Sequence, residues 1–135
     1  MHQSTYLLFD GDCKQAMELY HSVLGGELVL TTIGESPMKD VFPSTMYTKV
    51  VNARLKGEVV DLSASDWLRP SQKRIQGNAV CIYLSGGSPF ATKEIFRQLS
   101  EGADAIEALS EQSFGLYGAL TDKFGIRWMF HAKNE

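Results

Sequence analysis

Cysteine and histidine are scarce in this chain: two and three residues of 135, respectively. Two thiols, Cys13 and Cys81, are too few for a disulfide framework. The expectation is that both stay reduced in apolar surroundings, as in a cytoplasmic protein. Neither sign of charge dominates, because 13 basic and 16 acidic side chains leave a net charge of −3. That balance gives no electrostatic footprint for a phosphate backbone, so a nucleic-acid partner is not expected. No run approaches the ~20 apolar residues needed to cross a bilayer. Met1 to Ser4 has no basic stretch leading into an apolar core and cleavage site, so no signal peptide is expected. Hydrophobic content of 44% and charged content of 21% are ordinary for a globular protein. A single domain of this length buries roughly two thirds of the surface its unfolded chain exposes.

What the chain does contain is a copy of its own plan. Phe9-Asp10-Gly11-Asp12, leading into Cys13 to Leu24, recurs 76 positions later as Ser85-Gly86-Gly87-Ser88, leading into Pro89 to Ser100. Gly11 then matches Gly87, Tyr20 matches Phe96, Val23 matches Leu99 and Gly26 matches Gly102. In the first copy Ser4 to Phe9 reads as a strand. Asp12 with Gln15 reads as a capping box, and Cys13, Ala16, Met17, Tyr20, Val23 and Leu24 form one apolar helical stripe. Gly25-Gly26 stops the helix. Strands are expected over Glu27 to Ile33, Thr48 to Leu55 and Glu58 to Asp66, the last two joined at Lys56-Gly57 by a two-residue hairpin. Glu35 to Tyr47 is a long apolar connection, read either as a lid or as a strap on an edge or partner. The second copy predicts a strand over Ala79 to Leu84, a helix capped by Ser88 with Pro89 first, and strands over Ala105 to Glu111, Gly115 to Thr121 and Ile126 to Lys133. The predicted class is α+β: two tandem βαβββ modules forming a curved, cup-shaped mixed sheet with helices on its outer face. The whole of 1–135 is one domain, with module one at about 4–67, a polar linker at 68–78 and module two at about 79–133.

Alternation along the strands assigns the interior. Val60, Leu62 and Ala64 oppose Asp61, Ser63 and Ser65; Ile126, Trp128 and Phe130 oppose Arg127, Met129 and His131; Val51, Ala53 and Leu55 oppose Val50, Asn52 and Arg54. The helices bury their stripes on the greasy faces. The polar faces then line either a ligand cavity or a wet surface.

The stretch Tyr-Leu-Leu-Phe-Asp-Gly-Asp-Cys-Lys-Gln-Ala-Met-Glu-Leu-Tyr-His-Ser-Val-Leu-Gly at 6–25, with Gly-Leu-Tyr-Gly-Ala-Leu-Thr-Asp-Lys-Phe-Gly-Ile-Arg-Trp-Met at 115–129, resembles the vicinal oxygen chelate superfamily of glyoxalase I, bleomycin resistance proteins and extradiol dioxygenases. It is most similar to the PhnB-like branch, also labelled demethylubiquinone methyltransferase-like. Metalloenzymes of that superfamily hold a divalent metal with His and Glu side chains from four strands, and the metal polarises substrate oxygens. The resemblance puts the ligand positions near Thr5, Asp61, Val80 and Met129, of which Asp61 alone is a metal-ligand type. A third-strand His of the branch is Asn52 here. His131 joins Asp61 as a metal candidate, and the pair does not make a divalent-metal site.

The resemblance therefore implies a small-molecule-binding protein with a degenerate metal site. Asn52, Arg54, Asp61, Tyr117, Arg127, Met129 and His131 would contact the ligand, with no cofactor required. Relatives that complete their cups across a subunit interface imply a homodimer. The alternative is a metal-dependent lyase, isomerase or oxygenase, with Asp61 and His131 on the metal and Arg54 or Arg127 anchoring a carboxylate. A third reading has the interior collapsed, with Trp67, Phe114, Tyr117 and Trp128 simply core. A methyltransferase is not expected, because no Gly-rich strand-to-helix loop is present to cradle a nucleotide-like cofactor.

Overall fold

The computed structural model describes residues 1–134. The chain divides into two compact units, Met1–Arg74 and Ile75–Glu135, the boundary falling inside the polar linker read from the sequence. In the first unit β1 (Thr5–Phe9) leads to α1 (Cys13–Leu24), β2 (Glu27–Thr32), β3 (Val50–Lys56) and β4 (Asp61–Asp66). In the second, β5 (Ile82–Ser85) leads to α2 (Pro89–Ser100), β6 (Asp104–Gln112), β7 (Gly115–Thr121) and β8 (Arg127–Ala132). Each unit is thus a βαβββ module, and the class is α+β. The ladders form two four-stranded mixed sheets, ordered β1-β4-β3-β2 and β5-β8-β7-β6. In both, the first strand runs parallel to the last and the remaining pairs are antiparallel.

The helices begin and end 76 residues apart, as the repeat required. α1 buries Cys13, Ala16, Met17, Tyr20 and Leu24 against its sheet, where Phe9, Leu55, Leu62 and Ala64 meet them. α2 lies on the face carrying Trp128 and Phe130, and Phe96 meets Phe130 edge to face at 5.1 Å. Each large side chain so buried is worth about 1.5–3 kcal/mol. The Trp128 indole N–H donates to Asp122 Oδ2 at 2.8 Å, while Oδ1 of the same carboxylate accepts from the N–H groups of Phe124 and Ile126 and shapes the β7–β8 turn.

Several local expectations are corrected. Ser88 caps α2 by accepting from Ala91 N at 3.1 Å, but Asp12 makes no side-chain cap to α1. That task falls to Asp66, which accepts from Gly11 N and Cys13 N across the parallel β1–β4 pair. The positive backbone angle matching Gly11 lies at Gly86 rather than Gly87, so the two strand-to-helix turns differ. The β3–β4 connection is a loop of residues 57–60 rather than a two-residue turn, because Lys56 pairs with Asp61 and Gly57 N bonds to Val60 O. β5 starts only at Ile82; Val80 before it is 80% exposed. Val50 is buried instead of facing away with Asn52, its N–H donating to Asp66 Oδ2 where the β2–β3 register shifts. Cys81 is half-buried rather than a core thiol. The connection at 35–47 folds into two short 3-10 turns, Pro37–Asp40 and Ser44–Met46, and leaves Val41 exposed.

Candidate functional site

In each unit the sheet face opposite the helix is the one left for chemistry. Cross-strand partners share a face, so Tyr83 with Met129, and Tyr117 with His131, project together from β5, β7 and β8. With Cys81 and Phe114 they line an open cleft of about 510 Å³. Phe114 occupies the two-residue tip between Gln112 and Gly115, where Gly115 supplies the positive φ of 124° that the tight turn needs. Its ring is 58% exposed, stands edge-on to Tyr117 at 6.1 Å and lies tilted against His131 at 6.0 Å. Trp128 is core, as the collapsed-interior reading expected, whereas Phe114 is not. His131 Nε2 donates to the Phe114 carbonyl at 2.7 Å. The proton must therefore sit on Nε2, which leaves Nδ1 as an acceptor in the neutral ring.

Arg127 shares this face, but its charge is spoken for. Nη1 donates to Ala105 O at 2.7 Å and Nη2 pairs with Glu107 at 2.9 Å, with the side chain only 17% exposed. Ala105 has a positive φ of 47° at an irregularity in the β6 ladder, so Arg127 pins the bulged edge strand to the sheet.

The first unit presents a different face. Arg54 projects beside Ser63 and Asp61, its Nη2 pairing with Asp61 Oδ1 at 3.0 Å at an angle outside hydrogen-bond geometry. His2 Nε2 meets Asp61 Oδ2 at 2.7 Å. The His2 hydrogen bond, helped by the charge of Arg54, holds the Asp61 carboxyl below its ordinary range. Asn52 and Arg54 line, with Glu27, Val29 and Lys56, a shallow cleft of about 490 Å³. Of the seven ligand candidates read from the sequence, the fold thus gathers Tyr117, Met129 and His131 on one cleft of the second unit. It gathers Asn52, Arg54 and Asp61 on the polar face of the first.

The remaining positions implied for metal ligands fall one in each unit. Thr5 pairs with Leu62 on the helix-bearing face, and Val80 precedes β5. Asp61 belongs to the first unit with both carboxylate oxygens engaged, and His131 belongs to the second with Nε2 engaged. Among the described residues, no three His, Cys, Asp or Glu side chains are grouped to hold a metal ion. Within either unit, the donors described therefore do not make up the ligand set of a divalent cation.

Sequence reasoning missed Tyr83, Phe114 and Cys81. Phe114 carried a signal, since a large ring immediately before a glycine at a hairpin tip has no core to enter. Tyr83 depended on the β5–β8 register, which alternation within one strand does not reveal.

Two βαβββ modules of this sheet order are also the fold of solved proteins described as PhnB and as a glyoxylase/bleomycin resistance protein/dioxygenase domain, and in fold the chain is similar to them. It is 28% identical over 146 residues to Protein YjdN of Escherichia coli (strain K12), spanning 100% of this chain and 97% of that protein. Among solved structures it is similar to protein PA1353 from Pseudomonas aeruginosa, with 29% identity, a TM-score of 0.88, and 100% and 99% of the two chains covered. The PhnB protein from Bacillus cereus gives 19% identity and a TM-score of 0.76 over 98% and 99% of the chains. A glyoxylase/bleomycin resistance protein/dioxygenase domain from Frankia sp. EAN1pec gives 18% and 0.62 over 100% and 93%. No protein-family model matches the chain.

Proposed function

We propose that this protein binds a small organic molecule on the second unit, as a cytoplasmic homodimer whose ancestral metal site has degenerated. The observation that carries the reading is the cleft itself: three aromatic rings, a thioether, a thiol and one imidazole around about 510 Å³ of open space. Ligand sites commonly have this form, with apolar walls and a few polar groups that fix orientation. Tyr117, Met129 and His131 form its wall with Tyr83 and Phe114, and Arg127 braces its edge. Asn52, Arg54 and Asp61 serve as a separate polar recognition face on the first unit. The engagement of Asp61 by His2 and Arg54, and of His131 Nε2 by the Phe114 carbonyl, supports a mode of action in which these groups hold no metal. Large apolar side chains left in the open, Val80 at 80% and Phe90 at 81%, support burial against a second copy. Two free cysteines suit a reducing compartment.

The test is a thermal-shift and native-mass screen of metabolites and antibiotics against the intact protein. A hit is expected to raise the melting temperature in the wild type and to lose most of that gain in Tyr83→Ala or Met129→Ala. A panel without a binder counts against the reading. Sedimentation at micromolar concentration is expected to give about twice the 15.0 kDa chain mass, and a monomer would remove the dimer.

A further inference from the structure

The walls of the second-unit cleft say which charge its occupant carries. Three aromatic rings, from Tyr83, Phe114 and Tyr117, line it with the soft sulfur of Met129 and the His131 imidazole, the Phe114 and Tyr117 rings standing edge to face at 73°. Among the described residues, no lysine or arginine lines the space. The cation on the same sheet face, Arg127, is neutralised by Glu107 and held against the Ala105 carbonyl, away from any ligand. An anion entering here would shed water and meet no positive charge, only neutral donors such as the Tyr83 and Tyr117 hydroxyls, which do not offset the desolvation of a full charge. A cation would instead meet aromatic rings, whose faces carry negative potential, and a polarisable sulfur.

Resting on the reading of this cleft as a ligand site, we infer that its ligand is an organic cation with an apolar body, of the quaternary ammonium or alkylated aromatic amine class. The ammonium group sits among the faces of Tyr83, Phe114 and Tyr117, and the apolar body lies along Met129 toward Cys81. The Tyr83 and Tyr117 hydroxyls and His131 Nδ1 remain to accept any N–H the cation carries. Phe114 supplies adaptability, because it stands at a hairpin tip rather than inside a strand.

The experiment compares three probes of similar size on the intact protein at pH 8 by isothermal titration calorimetry: phenyltrimethylammonium, neutral N,N-dimethylaniline and benzenesulfonate. The cation is expected to bind about tenfold or more tighter than the neutral amine, the range that desolvated cation–π contacts supply, with no heat from the sulfonate. Tyr83→Ala and Tyr117→Leu should each weaken the cation about fivefold and leave the neutral amine within twofold, whereas Tyr83→Phe, which keeps the ring face, should retain binding. Tyr83 is 57% exposed, so its variants keep the fold, with circular dichroism as the check. Equal or tighter binding of the neutral amine overturns the charge preference and leaves the cleft a ligand site. Tighter binding of the sulfonate overturns it outright. Silence from all three probes alongside a productive wider screen also overturns it, while silence in both removes the cleft reading as well.

Discussion

Asp66 shows how much one side chain organises. It is almost fully buried, and its two oxygens accept from the N–H groups of Gly11, Cys13 and Val50 at 2.9, 3.1 and 2.8 Å. One carboxylate therefore caps α1, fixes the turn before it and anchors the start of β3. Truncating it strands two buried donors, Cys13 N and Val50 N, each costing about 1–3 kcal/mol, and a part-buried one, Gly11 N, so Asp66→Ala is expected to lower unfolding free energy by about 2 kcal/mol or more in urea titration. Asp66→Asn, which keeps the shape, should cost less. Beside it, the Cys13 thiol is pushed up to about 12, by burial first and then by the charges of Asp66 and Asp12. Since thiolate is the reactive form, a thiol reagent at pH 8 should label only the half-buried Cys81 in the native protein and both cysteines after denaturation; two fast native thiols would contradict the packing. Asp61 offers a pH test. Its folded carboxyl lies below the ordinary 3.8, chiefly through the His2 hydrogen bond, so its stabilisation is present above 3.8 and is lost as pH falls through the lower folded value. The stability gap between wild type and Asp61→Asn should accordingly narrow on acidification below pH 3.8, and a gap that stays constant would show that the contact is inert. Of these residues, Asp12 looked like the cap because local spacing favoured it. Asp66 won because the parallel β1–β4 pairing, invisible to local pattern, delivers its carboxylate to the same donors.

At the scale of elements, what was legible was what depends on near neighbours. Both helices were fixed by apolar spacing and by glycine stops, and Gly26 and Gly102 share positive φ values of 87° and 72°. The strand ends were not, because a strand stops where its partner stops. The β3–β4 loop is an instance: Lys56 and Gly57 were read as the turn itself, yet Gly57 is packed against Gly26 at the end of α1. A Cβ on Gly26 would lie 2.8 Å from the Lys56 carbonyl oxygen, in a backbone region that already disfavours L side chains. Gly26→Ala should thus cost about 2 kcal/mol or more, measured as a shift in denaturation midpoint. Gly77→Ala, where nothing lies within 4 Å, should leave the midpoint nearly unchanged. Comparable losses at both positions would mean that the close approach between the helix end and the loop does not matter.

Across the whole molecule the repeat dictates topology without dictating chemistry. The two sheets have the same order, parallel pairing at the same place and a helix on the same kind of face. Their helix-free faces nevertheless diverge. The first pairs Arg54 with Asp61 and places Lys56 opposite Glu27 in the ladder, so it is a charged face. The second sets Tyr83 against Met129 and Tyr117 against His131, and withdraws Arg127 to brace its edge. Alternation marked Met129 and His131 as facing away from the helix, but it could not weigh the two faces, because which side chains converge is a property of pairing register. This asymmetry makes a prediction about where binding is felt. In a two-dimensional NMR titration with a ligand found by screening, shift changes are expected to concentrate on Tyr83, Phe114, Tyr117, Met129 and His131, with the Met129 methyl among the largest. Changes centred instead on Asn52, Arg54 and Asp61 would transfer the recognition to the polar face, and would mean that the charges paired there open to admit a ligand while the aromatic rings stand idle.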